Sequence, residues 1–356
     1  MTIPALGDHD RALTYCTYCP KMCRFACPVS NVEGREAVIP QAKMATLDEL
    51  RRGARPWDAG FSEVLYACTG CLRCQTHCAH GNDVASALFL GRAAAHARGV
   101  GHASLKGFSA RWRANDARER AALRERHVAR VSTSAEIALL PGCDASDLAG
   151  VLFKVFDRAG LRVALADLPY ASAGHPLAAA GDIDAFRQVA RETAAALARY
   201  GTIVTSCPGC AHALARRYGA EGFAPRARPL HVTQLLAAAL GSLPDGPRAG
   251  RALYHDPCFL GRHLGVYDQP RALAARYVAE LVELRHARND AICSGAGGLV
   301  PLTAPETARR IAGDLLSQAR ARGVDRVLTA CPTTRRALRA AGGDVAVLDV
   351  CELVPV

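Results

Sequence analysis

The segment Cys68-Thr69-Gly70-Cys71-Leu72-Arg73-Cys74-Gln75-Thr76-His77-Cys78 spaces four cysteines as C-x2-C-x2-C-x3-C. Gaps of two residues bring three thiolates to one corner of the chain, while the fourth, past a longer gap, faces away. A second group lies upstream, Cys16-Thr-Tyr-Cys19-Pro-Lys-Met-Cys23-Arg-Phe-Ala-Cys27-Pro28, with three residues between Cys19 and Cys23. Eight cysteines in two quartets suit a pair of iron–sulfur cubanes with exchanged fourth ligands. One set is then Cys16, Cys19, Cys23 and Cys78; the other is Cys68, Cys71, Cys74 and Cys27. Two zinc sites, each with four ligands, or scattered core thiols are the alternatives.

The rest of the composition supports a metal reading. A chain of 356 residues allows two or three domains. Half of it is apolar and 22% charged, enough to bury a core. The net charge of +11 is carried by 40 arginines and only four lysines. With no Lys-rich tail, nucleic acid is not the expected partner; the alternatives are a solvated Arg-rich surface or a basic face for an acidic protein or a membrane. No apolar run reaches the ~18 residues of a membrane span. Met1–Leu13 lacks the basic-then-apolar order of a secretory signal. The expected location is therefore cytoplasmic, with peripheral attachment to the cytoplasmic face of the inner membrane as the variant. Fifteen cysteines, an odd number, in a reducing compartment point to metal rather than disulfides.

Between the cysteine groups, Ala42–Arg52 reads as a short helix; after them, Asp83–Arg98 reads as another, with Val84, Leu88 and Ala95 on one face. Residues 1–105 are thus expected to be helical. Residues 106–134, with Arg111, Arg113, Arg118, Arg120, Arg124 and Arg126, read as a solvated linker helix.

From about residue 135 strands and helices alternate. Ile137–Leu140 runs into Pro-Gly-Cys143, Leu148–Phe156 looks helical, and Val163–Ala166 looks like strand. Asp182 can cap a helix carrying Phe186, Val189, Ala190, Thr193 and Leu197 on one face, stopped by Gly201. Strand Ile203–Ser206 runs into Cys207-Pro-Gly-Cys210. The pattern recurs after Leu253-Tyr-His255-Asp-Pro-Cys258. Thr303-Ala-Pro-Glu306 reads as a capping box, its helix striped by Ala308, Ile311, Ala312, Leu315, Leu316 and Ala319 and ended by Gly323. Strand Val327–Ala330 meets Cys331-Pro332. Ile203–Pro208 matches Val327–Pro332, so two parallel α/β units are expected, residues 135–245 and 250–356. Ligands in such sheets collect where strands end and helices begin, where both cysteine-bearing turns fall.

His255-Asp-Pro-Cys258, Cys293-Ser-Gly-Ala-Gly-Gly298 and Cys331-Pro332, following the two quartets, resemble the cysteine-rich iron–sulfur oxidoreductases. These include the iron–sulfur subunits of glycolate and lactate oxidases and heterodisulfide reductase subunits. The resemblance implies an α-helical dicluster ferredoxin domain followed by two cysteine-rich domains, an α+β multidomain chain. In that family each cysteine-rich domain has a lone Cys, a Cys-Cys-Gly and a Cys-x-x-Cys. Here Ser172-Ala173-Gly174 stands in the first Cys-Cys-Gly slot, leaving Cys143, Cys207 and Cys210. In the second, Ser294 and Thr334 replace cysteines, leaving Cys258, Cys293 and Cys331. Three thiolates per domain are too few for the family's non-cubane cluster. They could hold a further iron–sulfur cluster, or zinc with His175 or His255, or be buried small hydrophobes. Cys351 fits no set and reads as core. The Gly295–Gly298 loop lacks a dinucleotide fingerprint and suits close backbone approach to a ligand or to Cys293.

Carbon substrates require an organic cofactor, and the chain has no convincing FAD or NAD fingerprint. The expected function is an electron-transfer subunit between a flavoprotein dehydrogenase or electron-transfer flavoprotein and a quinone or other carrier. The rivals are a heterodisulfide reductase-like thiol/disulfide enzyme and a non-catalytic scaffold.

Overall fold

The computed structural model describes residues 4–356 apart from 144, 145, 249 and 325. Residues 1–3 of the stretch read for a secretory signal lie outside it. The first third is helical: α1 (Asp10–Thr17), α2 (Pro28–Glu33), α3 (Pro40–Arg51), α4 (Ala59–Tyr66), α5 (Arg73–Thr76), α6 (Val84–Ala97) and α7 (Phe108–Arg126). Pro28 and Pro40 sit at the first helical positions, where a missing N–H costs nothing. Asp83 caps α6 by accepting from the Ser86 backbone N–H at 2.9 Å. Leu13, Leu47, Leu65 and Leu88 close this core; full burial of each such side chain stabilises by about 1.5–3 kcal/mol.

Two parallel sheets follow. The first comprises β1 (Val131–Ser132), β2 (Ala135–Leu139), β3 (Ala164–Ala166), β4 (Tyr200–Thr205) and β5 (Arg228–His231), in the order β1-β3-β2-β4-β5. The second has β6 (Arg251–His255), β7 (Glu280–Val282), β8 (Arg326–Thr329) and β9 (Ala346–Asp349), in the order β7-β6-β8-β9. The β3-β2-β4-β5 portion of the first sheet has the strand order of the second. In each sheet the chain leaves the central strand for one side and then crosses to the other. The switch points lie between β2 and β4 and between β6 and β8, paired in register at Leu139↔Val204 and Leu253↔Val327. Crevices form at the carboxyl ends of such strands. Cys143 and Cys207 follow β2 and β4; Cys258 and Cys331 follow β6 and β8.

The amphipathic stripes packed as expected. Phe186, Val189, Ala190, Thr193 and Leu197 are buried on α10 (Ile183–Leu197), and Ala308 through Ala319 on the helix Pro305–Ala321. Three local expectations are corrected. Gly201 does not end α10, which stops at Leu197; Gly201 lies inside β4, where its missing side chain admits Glu136. Thr303 forms no capping box. Its hydroxyl donates to the Leu299 carbonyl within a separate turn, Val300–Thr303, and the helix starts at Pro305 without a side-chain cap. The linker helix α7 is not merely solvated. Buried Asp116 accepts from the Ala171 and Ser172 backbone N–H groups at 2.9 and 3.1 Å, tying α7 to the turn that precedes α9 (His175–Ala180).

Candidate functional site: two thiol quartets and a cysteine-lined cleft

Cys16 lies on the buried face of α1, Cys19 and Cys23 in the turn after it, and Cys78 beyond α5. Burial pushes the Cys23 thiol up to about 11, and Cys16, Cys78 and Cys19 add to the rise. Burial also raises Cys16, with Cys78 and Cys19 adding, while the Asn82 amide, donating to its Sγ at 3.2 Å, pulls the other way. Cys78 and Cys19 are thus within electrostatic reach of both Cys16 and Cys23. The Asn82 amide donor and the Tyr15–His80 ring contact flank them.

Cys27, Cys68, Cys71 and Cys74 line a separate cavity of about 20 Å³, together with Lys43. Burial drives Cys74 well up, followed by Cys71, Cys68 and Cys27 as neighbours. Lys43 is 1% exposed and its ammonium donates to Cys27 Sγ at 3.3 Å. Burial opposes its charge, but Cys27, Cys68 and Cys74 outweigh that and hold its pKa up. Arg92 is 0% exposed and donates only to carbonyls: Leu65, Tyr66, Cys68, Ala179 and Gly298. Among the described residues no carboxylate pairs with Lys43 or Arg92. A buried cation without a counter-ion is costly. Two of them beside a pocket of soft thiols fit an anionic group of the iron–sulfur kind, whose charge they would balance.

The first sheet presents a third set. The Sγ atoms of Cys143, Cys207 and Cys210 all lie within 4.8 Å of one another, the one such trio among the described residues. Gly142, at φ +90°, permits this: a Cβ there would stand 2.5 Å from the Cys207 Cβ. Hydrogen bonds from Cys143 and Cys210 hold the Cys207 thiol well below its ordinary value. His175 packs against Gly209 in the same turn, and its buried Nδ1 has no partner. His255 is engaged differently. Its Nε2–H donates to the Ile292 carbonyl at 3.0 Å, which ties it to backbone.

The structure does not close Cys258, Cys293 and Cys331 on a single ion. Cys258 and Cys331 line a cleft of about 290 Å³ between the two sheets, facing Cys143 and Cys207. Burial pushes both up to about 12. Cys293 points instead toward the helical third, hydrogen-bonding Thr69 Oγ1 at 3.4 Å. The substituted positions pair among themselves. Ser294 Oγ and Thr334 Oγ1 are 3.2 Å apart, and Ser172 donates to Asp116. Ala173 is wholly buried. Cys351 lies in the apolar core with Val350 and Val354. Sequence reading missed Lys43, Arg92, Asn82 and Asp116. Asn82 lies in the loop before α6 and the other three lie on helices, and their partners are distant in sequence.

Soft thiols packed against buried cations that no carboxylate pairs suit an iron–sulfur protein. Residues 12–82 match the family of 4Fe-4S dicluster domains and residues 252–339 match the cysteine-rich domain family. One subunit of the CoM/CoB fumarate reductase of Methanothermobacter marburgensis is 28% identical over 86% of this chain and 63% of its own. One subunit of the dihydromethanophenazine:CoB–CoM heterodisulfide reductase of Methanosarcina barkeri is 28% identical over 63% of this chain and 59% of its own. A probable membrane-anchored ferredoxin of Chromohalobacter salexigens is 33% identical over 49% of this chain and 28% of its own. The chain thus spans less than two thirds of the length of each. Among the described residues no helix is long and apolar enough to cross a membrane.

Proposed function

We propose that this chain is an electron-transfer subunit holding two cubane clusters, working between a flavoprotein and a quinone or other carrier. Cys16, Cys19, Cys23 and Cys78 would hold the outer cluster, and Cys27, Cys68, Cys71 and Cys74 the inner one. The observation that carries this reading is the cavity lined by Cys27, Cys68, Cys71 and Cys74 together with Lys43, with Arg92 on the Cys68 carbonyl. Clusters of this kind carry single electrons at potentials set by ligation, charge and burial. The chain's own groups exclude water from the inner quartet and place two cations near it. The wider arrangement divides the chain into the helical third, residues 1–105, the linker 106–134, and α/β units 135–245 and 250–356, the last two related as repeats.

Electron entry fits the outer quartet. Tyr18 and Met22 are 81% and 67% exposed beside Cys19 and Cys23, and Phe25 is exposed as well. Arg11 lies over the Tyr15 ring, and Lys21 and Arg24 share the single carboxylate of Glu36, an excess of positive charge that suits an acidic flavoprotein. The isolated chain is therefore expected to turn over no hydroxy acid. Adding the flavoprotein with its substrate should bleach the cluster absorbance, more slowly as salt rises, because exposed charges are screened within about 8–10 Å at 0.1–0.15 M. Hydroxy-acid oxidation by the chain alone would contradict the reading, and salt-independent reduction would remove its electrostatic part.

The Cys143–Cys207–Cys210 trio is too tight for a cluster's spread ligands and suits one zinc-sized ion; His175, which packs on Gly209 outside the trio, would be the fourth donor. Zinc in the metal analysis, lost in Cys207→Ser, would support this; its absence would leave the trio as core thiols. The heterodisulfide reductase alternative lacks its thiols, since Ser294, Thr334 and Ser172 spend their hydroxyls on each other and on Asp116.

A further inference from the structure

Cys293 sits 224 residues from Thr69 in sequence, yet its Sγ lies 3.4 Å from the Thr69 hydroxyl, two residues from Cys71. Both Cys293 and Thr69 are buried, at 5% and 2% exposure. The Gly295 backbone N–H donates to Cys293 Sγ at 3.3 Å and fixes its rotamer.

The contact is held from every side. A Cβ on Gly298 would stand 2.1 Å from the Cys68 carbonyl oxygen, and one on Gly297 2.3 Å from that of Thr69. Only glycines let this loop lie backbone to backbone against Cys68–Cys71. Arg92 bridges the same two strands of chain, donating to Gly298 O at 2.9 Å and Cys68 O at 2.7 Å. His263 donates to Gly70 O at 2.9 Å, and Arg262 Nε donates to Cys71 O. Arg73, from the helical side, donates to Asp290.

We propose that Cys293 serves the inner cluster rather than a metal of its own sheet, as a hydrogen-bond donor that sets the potential at Cys71. The inference rests on reading Cys27, Cys68, Cys71 and Cys74 as cluster ligands. A ligating Cys71 has no proton to give, so the Cys293 S–H donates to Thr69 Oγ1 and the Thr69 O–H passes the hydrogen bond on to the cluster's sulfur. Hydrogen bonds to ligand sulfur stabilise the more negative, reduced state and raise the potential. The same contact makes Cys293 the point where the inner cluster meets the second sheet, with Cys258 beyond it in electrostatic reach. Cys293 is a positioning and tuning residue, not a ligand.

The test uses the anaerobically purified full-length chain, with Cys293→Ala, Cys293→Ser and Thr69→Val beside it. Each is assayed for iron, zinc and sulfide and titrated under EPR. Cys293→Ala is expected to keep the wild-type metal and sulfide content and to shift one cluster to lower potential, leaving the other unmoved. Cys293→Ser, which retains a donor, should fall between wild type and Ala. Thr69→Val should move the same cluster in the same direction, and it answers the question if Cys293→Ala fails to fold. Loss of a metal in Cys293→Ser or Cys293→Ala would make Cys293 a ligand and overturn the inference. So would intact clusters with unmoved potentials, which would leave the cluster reading standing. Wild-type protein carrying zinc and no sulfide would bring down that reading itself, and this inference with it.

Discussion

Cys78→Ser is expected to destroy the cluster held by Cys16, Cys19 and Cys23 while leaving intact the one held by its own sequence neighbours, Cys68, Cys71 and Cys74. Cys78 closes a C-x2-C-x2-C-x3-C run, whose longer last gap is expected to face it away from the other three. Its thiol acts on Cys16 and Cys23, whereas Cys74 feels chiefly Cys71, Cys68 and Cys27, with Cys23 last. A neutral hydroxyl is a poor ligand for a soft iron–sulfur centre. Iron should fall from about eight to about four per chain. EPR should retain the cluster signal that responds to Lys43→Met. If the signal lost is the Lys43-sensitive one, the fourth ligands do not cross.

Gly298→Ala is expected to be the most damaging small substitution outside the cysteines. The residue has φ +60°, where an L side chain costs about 1–2 kcal/mol. The added methyl would also meet the Cys68 carbonyl oxygen at 2.1 Å, backbone that cannot swing aside as a side chain would. Overpacking of this kind costs about 1–3 kcal/mol more. A total of about 2–5 kcal/mol is expected, with the loop lifting from Cys68–Cys71 and Arg92 losing its Gly298 carbonyl. Denaturant midpoints measure the first effect, and hydrogen exchange at residues 68–71 and 293–298 the second. Gly265→Ala, also at positive φ but with open space around its Cβ position, is the control that carries only the backbone cost. Equal losses in the two variants would show that the loop does not press on Cys68.

What the sequence made legible was local. Cysteine spacing is a property of ten or so consecutive residues, and the helix stripes of Phe186–Leu197 and Ala308–Ala319 repeat within a few turns. The parallel sheets followed from alternation of strand and helix. What stayed hidden depends on partners far along the chain. Lys43 lies in a helix whose pattern gives no reason to bury it, and its reason is Cys27 and Cys68. Arg92 is one of 40 arginines, and nothing nearby marks it as the one that binds carbonyls from three parts of the fold. The Gly295–Gly298 loop was legible as a site of close backbone approach, but its partner, Cys68–Thr69, was not. The family pattern groups Cys293 with Cys258 and Cys331; the fold turns it toward Thr69 instead. Thr303 was read as a cap because its spacing to Glu306 is right, but Leu299 at φ +62° bends the chain so that its carbonyl takes the hydroxyl first.

The central claim is that the helical third holds two iron–sulfur cubanes. Iron, zinc and acid-labile sulfide counted on the anaerobically purified full-length chain test it most directly. About eight iron and eight sulfide per chain, with zinc no higher than one, is the predicted result. Zinc near two per chain with no sulfide would contradict it.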